Sequence, residues 1–281
     1  MLVWGDFRYV APMDQLWNTV WESPRPFVHP LVAPNGGVLT VQAPGDHPWH
    51  HGLWFAIKFV NDENFWEEYG DFGVLRVNHV EVQHDAALGG RREIADISWV
   101  RPNSNEVVIT ETRVVTEVAL ADDAYALDWH VTLTPSTDVT FDRTPFTTWG
   151  GYGGLTLRGA PDFTDTLLTT PAGHCERVLG DRSPWCAIDG MATTAAGDVV
   201  PAGVVMIDHP ENVSFPTPWY ASTRAATYGE GWANFFNAAF LWDGPTEVAA
   251  NTPFVHRHRV VVHSERWEID RCVAVAAAWP S

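Results

Sequence analysis

Four successive stretches, residues 74–84, 94–101, 107–120 and 125–133, alternate apolar and polar side chains with the two-residue period of a β-strand. In the first, Val74, Arg76, Asn78 and Val80 share one face and Leu75, Val77 and His79 the other. Asn103-Ser104-Asn105 and Asp122-Asp123 stand at the joins, where hairpin turns require such residues. A strand with one apolar face cannot bury it alone, so this pattern commits the chain to stacked sheets. Strand-like runs at 38–41, 53–60, 204–207, 235–241 and 255–263 extend it. The stretch 161–201, rich in Gly, Pro, Thr and Asp, is predicted to be a broad loop. Only 264–278 reads as a helix, with Ser264 as N-cap, acidic residues early and alanines late. The expected fold is all-β: a large antiparallel β-sandwich with one short C-terminal helix. No internal repeat or charged linker divides the chain, so residues 1–281 are expected to form a single domain.

Charge narrows the function classes. Seventeen basic against thirty-five acidic residues give a net charge of −18, which repels phosphate backbones and anionic lipid. Neither nucleic acid nor a membrane is an expected partner. No apolar run approaches the roughly 18 residues that span a bilayer, and the N-terminus lacks the basic start and apolar run of a secretion signal. Cys175, Cys186 and Cys272 are odd in number and at no metal-ligand spacing. Reduced thiols in a cytoplasm fit them best. Lys58 is the sole lysine and lies in an apolar strand pattern, which argues against Schiff-base chemistry.

The segment Gly45-Asp46-His47-Pro48-Trp49-His50-His51-Gly52 concentrates the candidate chemistry. Imidazoles move protons near neutral pH and are the commonest metal ligands. Pro48 and the glycines predict a shaped loop, feeding the apolar strand that carries Trp54. With His29, the histidines at 47, 50 and 51 could ligate a metal that keeps an open position. Their spacing matches no strong zinc signature, and proton transfer or substrate hydrogen bonding by His47 and His50 is the preferred reading.

Other candidates are scattered along the chain. Asn61 could read a polar group and Trp66 could stack on a ring, although Asn61-Asp62-Glu63 also suits a turn. Glu111 and Arg113 share one face of a strand; they form an ion pair, or Glu111 serves as a base if that face is concave. Trp149 to Arg158 is glycine-rich but lacks the lysine and helix of a phosphate-binding loop. Trp149 could line a ligand and Arg158 reach inward. Asp208-His209-Pro210 echoes Asp46-His47-Pro48, and His256-Arg257-His258-Arg259 crowds two imidazoles and two guanidiniums into one strand. No Gly-x-Ser-x-Gly elbow occurs.

The motifs Arg25-Pro-Phe-Val-His29-Pro, Asp46-His47-Pro48-x-His50-x-Gly52-Leu53-Trp54-Phe55, Val60-Asn61 and Phe65-Trp66 resemble the DUF6807 family, whose members are often labelled PmoA-like. Softer matches run through Gly154-Leu155 to Arg158, Asp208-His209-Pro210 with Trp219, and the strand reaching Arg259. Family members commonly carry His and Arg where this chain has Trp49 and His51, so the resemblance carries over His47 and His50 but no role for positions 49 and 51. The PmoA label belongs to a membrane copper protein and does not suit a chain with no spanning run. The resemblance implies a sugar-processing context and a supersandwich of the galactose-mutarotase kind, and fold alone never fixes function.

The expectation is a cofactor-independent enzyme that epimerises, isomerises or eliminates on a sugar or oxidised sugar. His47 and His50 would be acid and base with Glu111 as partner. Arg25, His29, His51, Trp54, Asn61, Trp66, Trp149, Arg158, His209 and Arg259 would bind the substrate. A metal-dependent hydrolase or oxygenase built on His29, His47, His50 and His51, and a non-catalytic carbohydrate-binding sandwich, are the rivals. An oxidoreductase partner or a homo-oligomer is the macromolecular association the sequence leaves open.

Overall fold

The computed structural model describes residues 15–22, 24–85, 90–144, 153–224 and 232–279. Among them, the alternating segments do pair as successive antiparallel hairpins. Phe254–His263, Ala124–Pro135, Val107–Ala121, Gly90–Val100 and Val74–Asp85 lie side by side in that order, as half of a ten-stranded sheet. Val199–Asp208, Trp185–Thr194, Thr164–Thr170 and Gly173–Cys175 continue it on the other side, and Gly37–Val38 pairs with Trp185–Thr194. A seven-stranded sheet packs against it in the order Trp17–Val20, Phe27–Leu31, Leu53–Ile57, Gly153–Arg158, Trp232–Ala238, Pro218–Arg224, Arg177–Arg182. A small sheet of Thr246–Val248, Val139–Asp142, Phe59–Val60 and Glu63–Asn64 adjoins them. The architecture is an all-β sandwich with one short helix, Ile269–Ala277.

Period two sorts the side chains into layers. Leu53, Phe55 and Ile57 share one buried cluster with Trp99, Leu127, Trp129, Val131, Val260 and Val262, which fills the space between the two large sheets. Trp54 and Ala56, the alternate residues of the same strand, pack with Phe27, Trp66, Tyr220 and Phe235 on the outer face of the seven-stranded sheet. Ala126, Val205 and Val261 face the opposite way, where Trp267 and Cys272 cover the outer face of the large sheet. Each large apolar side chain buried this way contributes roughly 1.5–3 kcal/mol relative to exposure. No helix of the described residues is long and apolar enough to cross a membrane.

Three sequence expectations are corrected. The stretch 161–201 is mostly strand, because Gly173 and Gly197 occupy hairpin turns instead of forming a loop. Gly173 and Gly197 take φ of 125° and 93°, a region glycine enters freely, where adjacent strands reverse. The helix starts at Ile269, with Glu268 and not Ser264 before it. The Ser264 hydroxyl instead accepts the Asn35 amide proton, at 2.9 Å. The Trp267 amide donates to buried Asp189 at 3.1 Å and its indole stacks on His263, so tertiary anchoring holds 264–268 out of the helix. A register shift between Val77 and His79 flips the later side chains, so that Val80 joins Val77 against the core instead of facing away with Arg76.

The two large sheets are also joined by a buried polar group. Glu111 accepts from the Trp99 indole at 2.7 Å and from Arg113 Nε at 2.6 Å. Arg113 in turn donates across the sandwich to the carbonyls of Pro26 and Phe55, at 3.2 and 3.4 Å. Arg113→Ala is expected to lower the unfolding free energy by about 3–5 kcal/mol, because it strands the Glu111 carboxylate in the core. Urea unfolding followed by circular dichroism measures it. The double replacement Glu111→Leu, Arg113→Met is expected to lose less than Arg113→Ala alone.

Buried titratable groups set a second expectation. Burial pushes His256 down to about 3 and His263 down to about 4, and holds His258 well below its usual value. Burial raises Asp189 and Asp208 to about 7. These sit 3.7 Å from His263 and 3.5 Å from His258, respectively. The neutral histidines contribute stability above their unfolded value, and it is lost as pH falls from about 6.5 towards 4. The protonated aspartates act oppositely, their contribution fading as pH rises from about 4 to 7. The buried histidines, with His29 and His50 added, outnumber the aspartates. The urea midpoint is therefore expected to drop between pH 7 and pH 5, and a flat or rising profile would refute this proton count.

Candidate functional site

The histidine loop lies over the outer face of the seven-stranded sheet. Backbone bonds from the His47 amide to Pro44, the His50 amide to His47 and the Ala43 amide to His50 fold it into compact turns. Gly52 then leads it into the strand Leu53–Ile57 with φ of 54°, and a Cβ there would meet the Val28 carbonyl at 2.2 Å. Only glycine allows that approach. Gly153–Arg158, the neighbouring strand, ends on Arg158, which fixes the loop from below.

Arg158 holds two members at once. Its Nη2 donates to Asp46 at 2.6 Å and its Nη1 to His50 Nδ1 at 3.1 Å. Asp46 also accepts from His47 Nδ1 at 2.9 Å. A guanidinium only donates, so His50 Nδ1 is an acceptor and neutral His50 carries its proton on Nε2. A carboxylate at this pH only accepts, so His47 Nδ1 carries a proton and its Nε2 is left for other work. Burial, then Arg158 and the neighbouring histidines, drives His50 well below its usual pKa and keeps it neutral. Burial opposes ionisation of Asp46, but the hydrogen bonds from Arg158 and His47 outweigh it and hold the carboxyl low. The His47 and His50 rings stack 4.7 Å apart, and the His47 side chain keeps 30% exposure, open to a ligand.

A second group stands beside the first. Glu68 accepts from Arg25 Nε at 3.0 Å and from His51 Nε2 at 2.6 Å, and those two partners hold it ionised against the cost of burial. Phe27 stacks on His51. The Thr40 hydroxyl accepts from the Leu31 amide and is hydrogen-bonded to His29 Nδ1 at 3.0 Å. Burial and nearby His51 lower His29 to about 4. Trp54 and Phe235 lie 5.2 Å from the His50 ring, and Trp66 and Trp49 meet it edge-on. Arg25 Nη2, His51 Nδ1 and Trp54 Nε1 are buried with no hydrogen-bond partner among the described residues.

His47, His50, Arg158, Trp54, Trp66, Arg25, His29 and His51 are thus brought together around one loop. Four sequence candidates are placed elsewhere. Glu111 lies between the sheets on Arg113, since its strand turns 109, 111 and 113 inward. Asn61 is a turn residue, with φ of 49° and its amide bonded to the Asp138 carbonyl and the Thr140 amide. His209 and Arg259 meet Trp279 on the far side of the sandwich. Trp149 lies outside the described residues.

Sequence reasoning passed over Glu68, Thr40 and Phe235. Glu68 follows Glu67, and paired acids ordinarily read as a solvated face. Glu67 in fact holds the sole lysine, Lys58, in a buried ion pair. No group of three or more His, Cys, Asp or Glu side chains among the described residues is disposed to hold a metal ion.

Against solved structures, the chain is similar to a putative kojibiose phosphorylase from the human microbiome, with 9% identity and a TM-score of 0.28. The match covers 82% of this chain and 29% of that protein, and so faint a likeness carries no argument. No curated protein matches. The model of a family of unknown function, DUF6807, matches residues 7–277, nearly the whole of the sequence, and the chain belongs to that family.

Proposed function

We propose that the protein is a carbohydrate-active enzyme that moves a proton on a sugar or oxidised sugar without a cofactor, as an epimerase, isomerase or lyase. The observation that carries this reading is the Asp46–His47 pair stacked on a neutral His50 pinned by Arg158. Asp46 orients the His47 ring and fixes its tautomer, which leaves Nε2 to act as base. His50 offers an Nε2–H whose donor strength is increased by the guanidinium on Nδ1.

In the proposed step, His47 Nε2 takes the proton from a carbon beside a carbonyl. The C–H electron pair moves onto the carbonyl oxygen, where the His50 N–H stabilises the enolate. Return of a proton to the other face gives an epimer; where the first carbon bears a hydroxyl whose proton passes to the enolate oxygen, return to the neighbouring carbon gives an isomer. Loss of a β-leaving group gives elimination. A carbonyl is needed because an ordinary sugar C–H is not acidic enough, which favours keto or otherwise oxidised sugars. Trp54, Trp66 and Phe235, packed against the His50 ring, would hold that imidazole in place for the substrate.

The galactose-mutarotase-like supersandwich and the carbohydrate context belong to this proposal. So does a cytoplasmic location, supported by the free thiols of Cys175, Cys186 and Cys272. The test is incubation with a panel of keto sugars and sugar acids in deuterium oxide, read by proton NMR. Wild-type protein is expected to exchange one carbon-bound proton. His47→Ala is expected to slow exchange about 10²–10⁴-fold, and Asp46→Asn to slow it less. Unchanged exchange in His47→Ala would sink the base assignment. Binding with no exchange would favour a non-catalytic module, and activity lost to a chelator and restored by a divalent metal would favour the metal-dependent reading.

A further inference from the structure

The outer face of the large sheet, on the other side of the sandwich from the histidines, carries a second cluster. Cross-strand register puts Arg92, Thr116, Asp128 and Arg259 in one row and Val114, His130 and Arg257 in the next. Past the end of the helix Ile269–Ala277, Trp279 lies over the Arg259 guanidinium at 5.3 Å and edge-on to His209 at 5.2 Å. Beside this stack lies a cleft of about 230 Å³, lined by Arg92, Thr116, Asp128, His130, Arg257 and Trp279 among others.

The charge of this cleft runs against that of the chain. Asp128 is satisfied by two hydrogen bonds from Arg259, at 2.6 and 2.7 Å, and so offers little charge to the cavity. Arg257 pairs with Glu211, an exposed carboxylate, in a contact of the kind that contributes little and yields readily. Arg92 has no carboxylate partner among the described residues, and its Nε is buried without a hydrogen bond. His130 is held below its usual pKa by burial and then by Arg257, His209 and Arg92, with no carboxylate opposing them. In a chain of net charge −18, such a focus of positive potential is a poor surface for solubility and a good one for an anion.

We propose that this cleft binds a small molecule through an oxyanion, a phosphate or a carboxylate, with Arg92 as its principal ligand, Arg257, His130 and Thr116 in support and Trp279 as an apolar wall. Guanidinium groups grip such oxyanions through paired, charge-assisted hydrogen bonds, and the Thr116 hydroxyl and His130 ring add donors. The volume suits a metabolite or its headgroup, and the overall acidity disfavours a nucleic acid. This site is independent of the histidine loop and of the reaction proposed there.

Isothermal titration calorimetry at low ionic strength, with inorganic phosphate and separately with malonate, tests the assignment. One saturable site per chain is expected, with Kd of about 1 mM. Arg92→Gln is expected to weaken it about tenfold, the loss of one charge-assisted contact. Arg257→Gln should weaken it by a smaller factor, and Arg158→Gln should leave it unchanged. Circular dichroism checks the fold of each variant. Both cleft arginines are partly exposed, and if Arg92→Gln fails to fold, Arg257→Gln carries the test. Tighter binding of phosphate identifies a phosphate site and tighter binding of malonate a carboxylate site. Absence of saturation, or binding lost in Arg158→Gln and retained in Arg92→Gln and Arg257→Gln, would overturn the proposal.

Discussion

The guanidinium of Arg113 is the constraint on which the site rests. It projects from the large sheet into the space between the sheets and donates to carbonyls of Pro26 and Phe55. Those carbonyls belong to the segments whose neighbouring residues, Arg25, Phe27 and Trp54, stand on the outer face of the opposite sheet. Burying a charge is tolerable only when it is paired and hydrogen-bonded, and Glu111 with the Trp99 indole supplies the counterpart. The two sheets are thereby tied directly behind the functional loop, as the Trp17–Glu117, Thr19–Glu93 and Tyr125–Val32 hydrogen bonds tie them elsewhere. The hydrophobic driving force is non-directional, whereas a fork of hydrogen bonds fixes register.

How much of this was legible in the sequence depended on the range of each signal. Alternation over 74–84 and 107–120 is local and strong, so the long hairpins could be read directly. Residues 161–201 resemble a loop in sequence because short strands punctuated by Gly173 and Gly197 share their composition with loops. The start of the helix was misjudged because the Asp189–Trp267 bond that delays it links residues far apart in sequence.

The site divides along the same line. His47, His50 and Arg158 could be found because a compact motif and one nearby strand present them. Glu111 could not be placed, because its strand alternates equally well whichever face is buried. Arg259 joins His130 and Arg92 only once the strand order sets Phe254–His263 beside Ala124–Pro135. Glu68 was hidden in an acidic run, and only its contacts with Arg25 and His51 separate it from Glu67.

The buried Lys58–Glu67 pair has a practical corollary. Because no other lysine exists, every positive side chain at the surface, histidine apart, is a guanidinium. Guanidiniums stay charged in any solution in which the protein is folded, and they do not react with the acylating reagents that target amines. Lysine acetylation therefore has no exposed side chain to act on. Between mild acid and neutrality the surface charge changes through carboxylates and imidazoles, with no exposed lysine to titrate at the alkaline end.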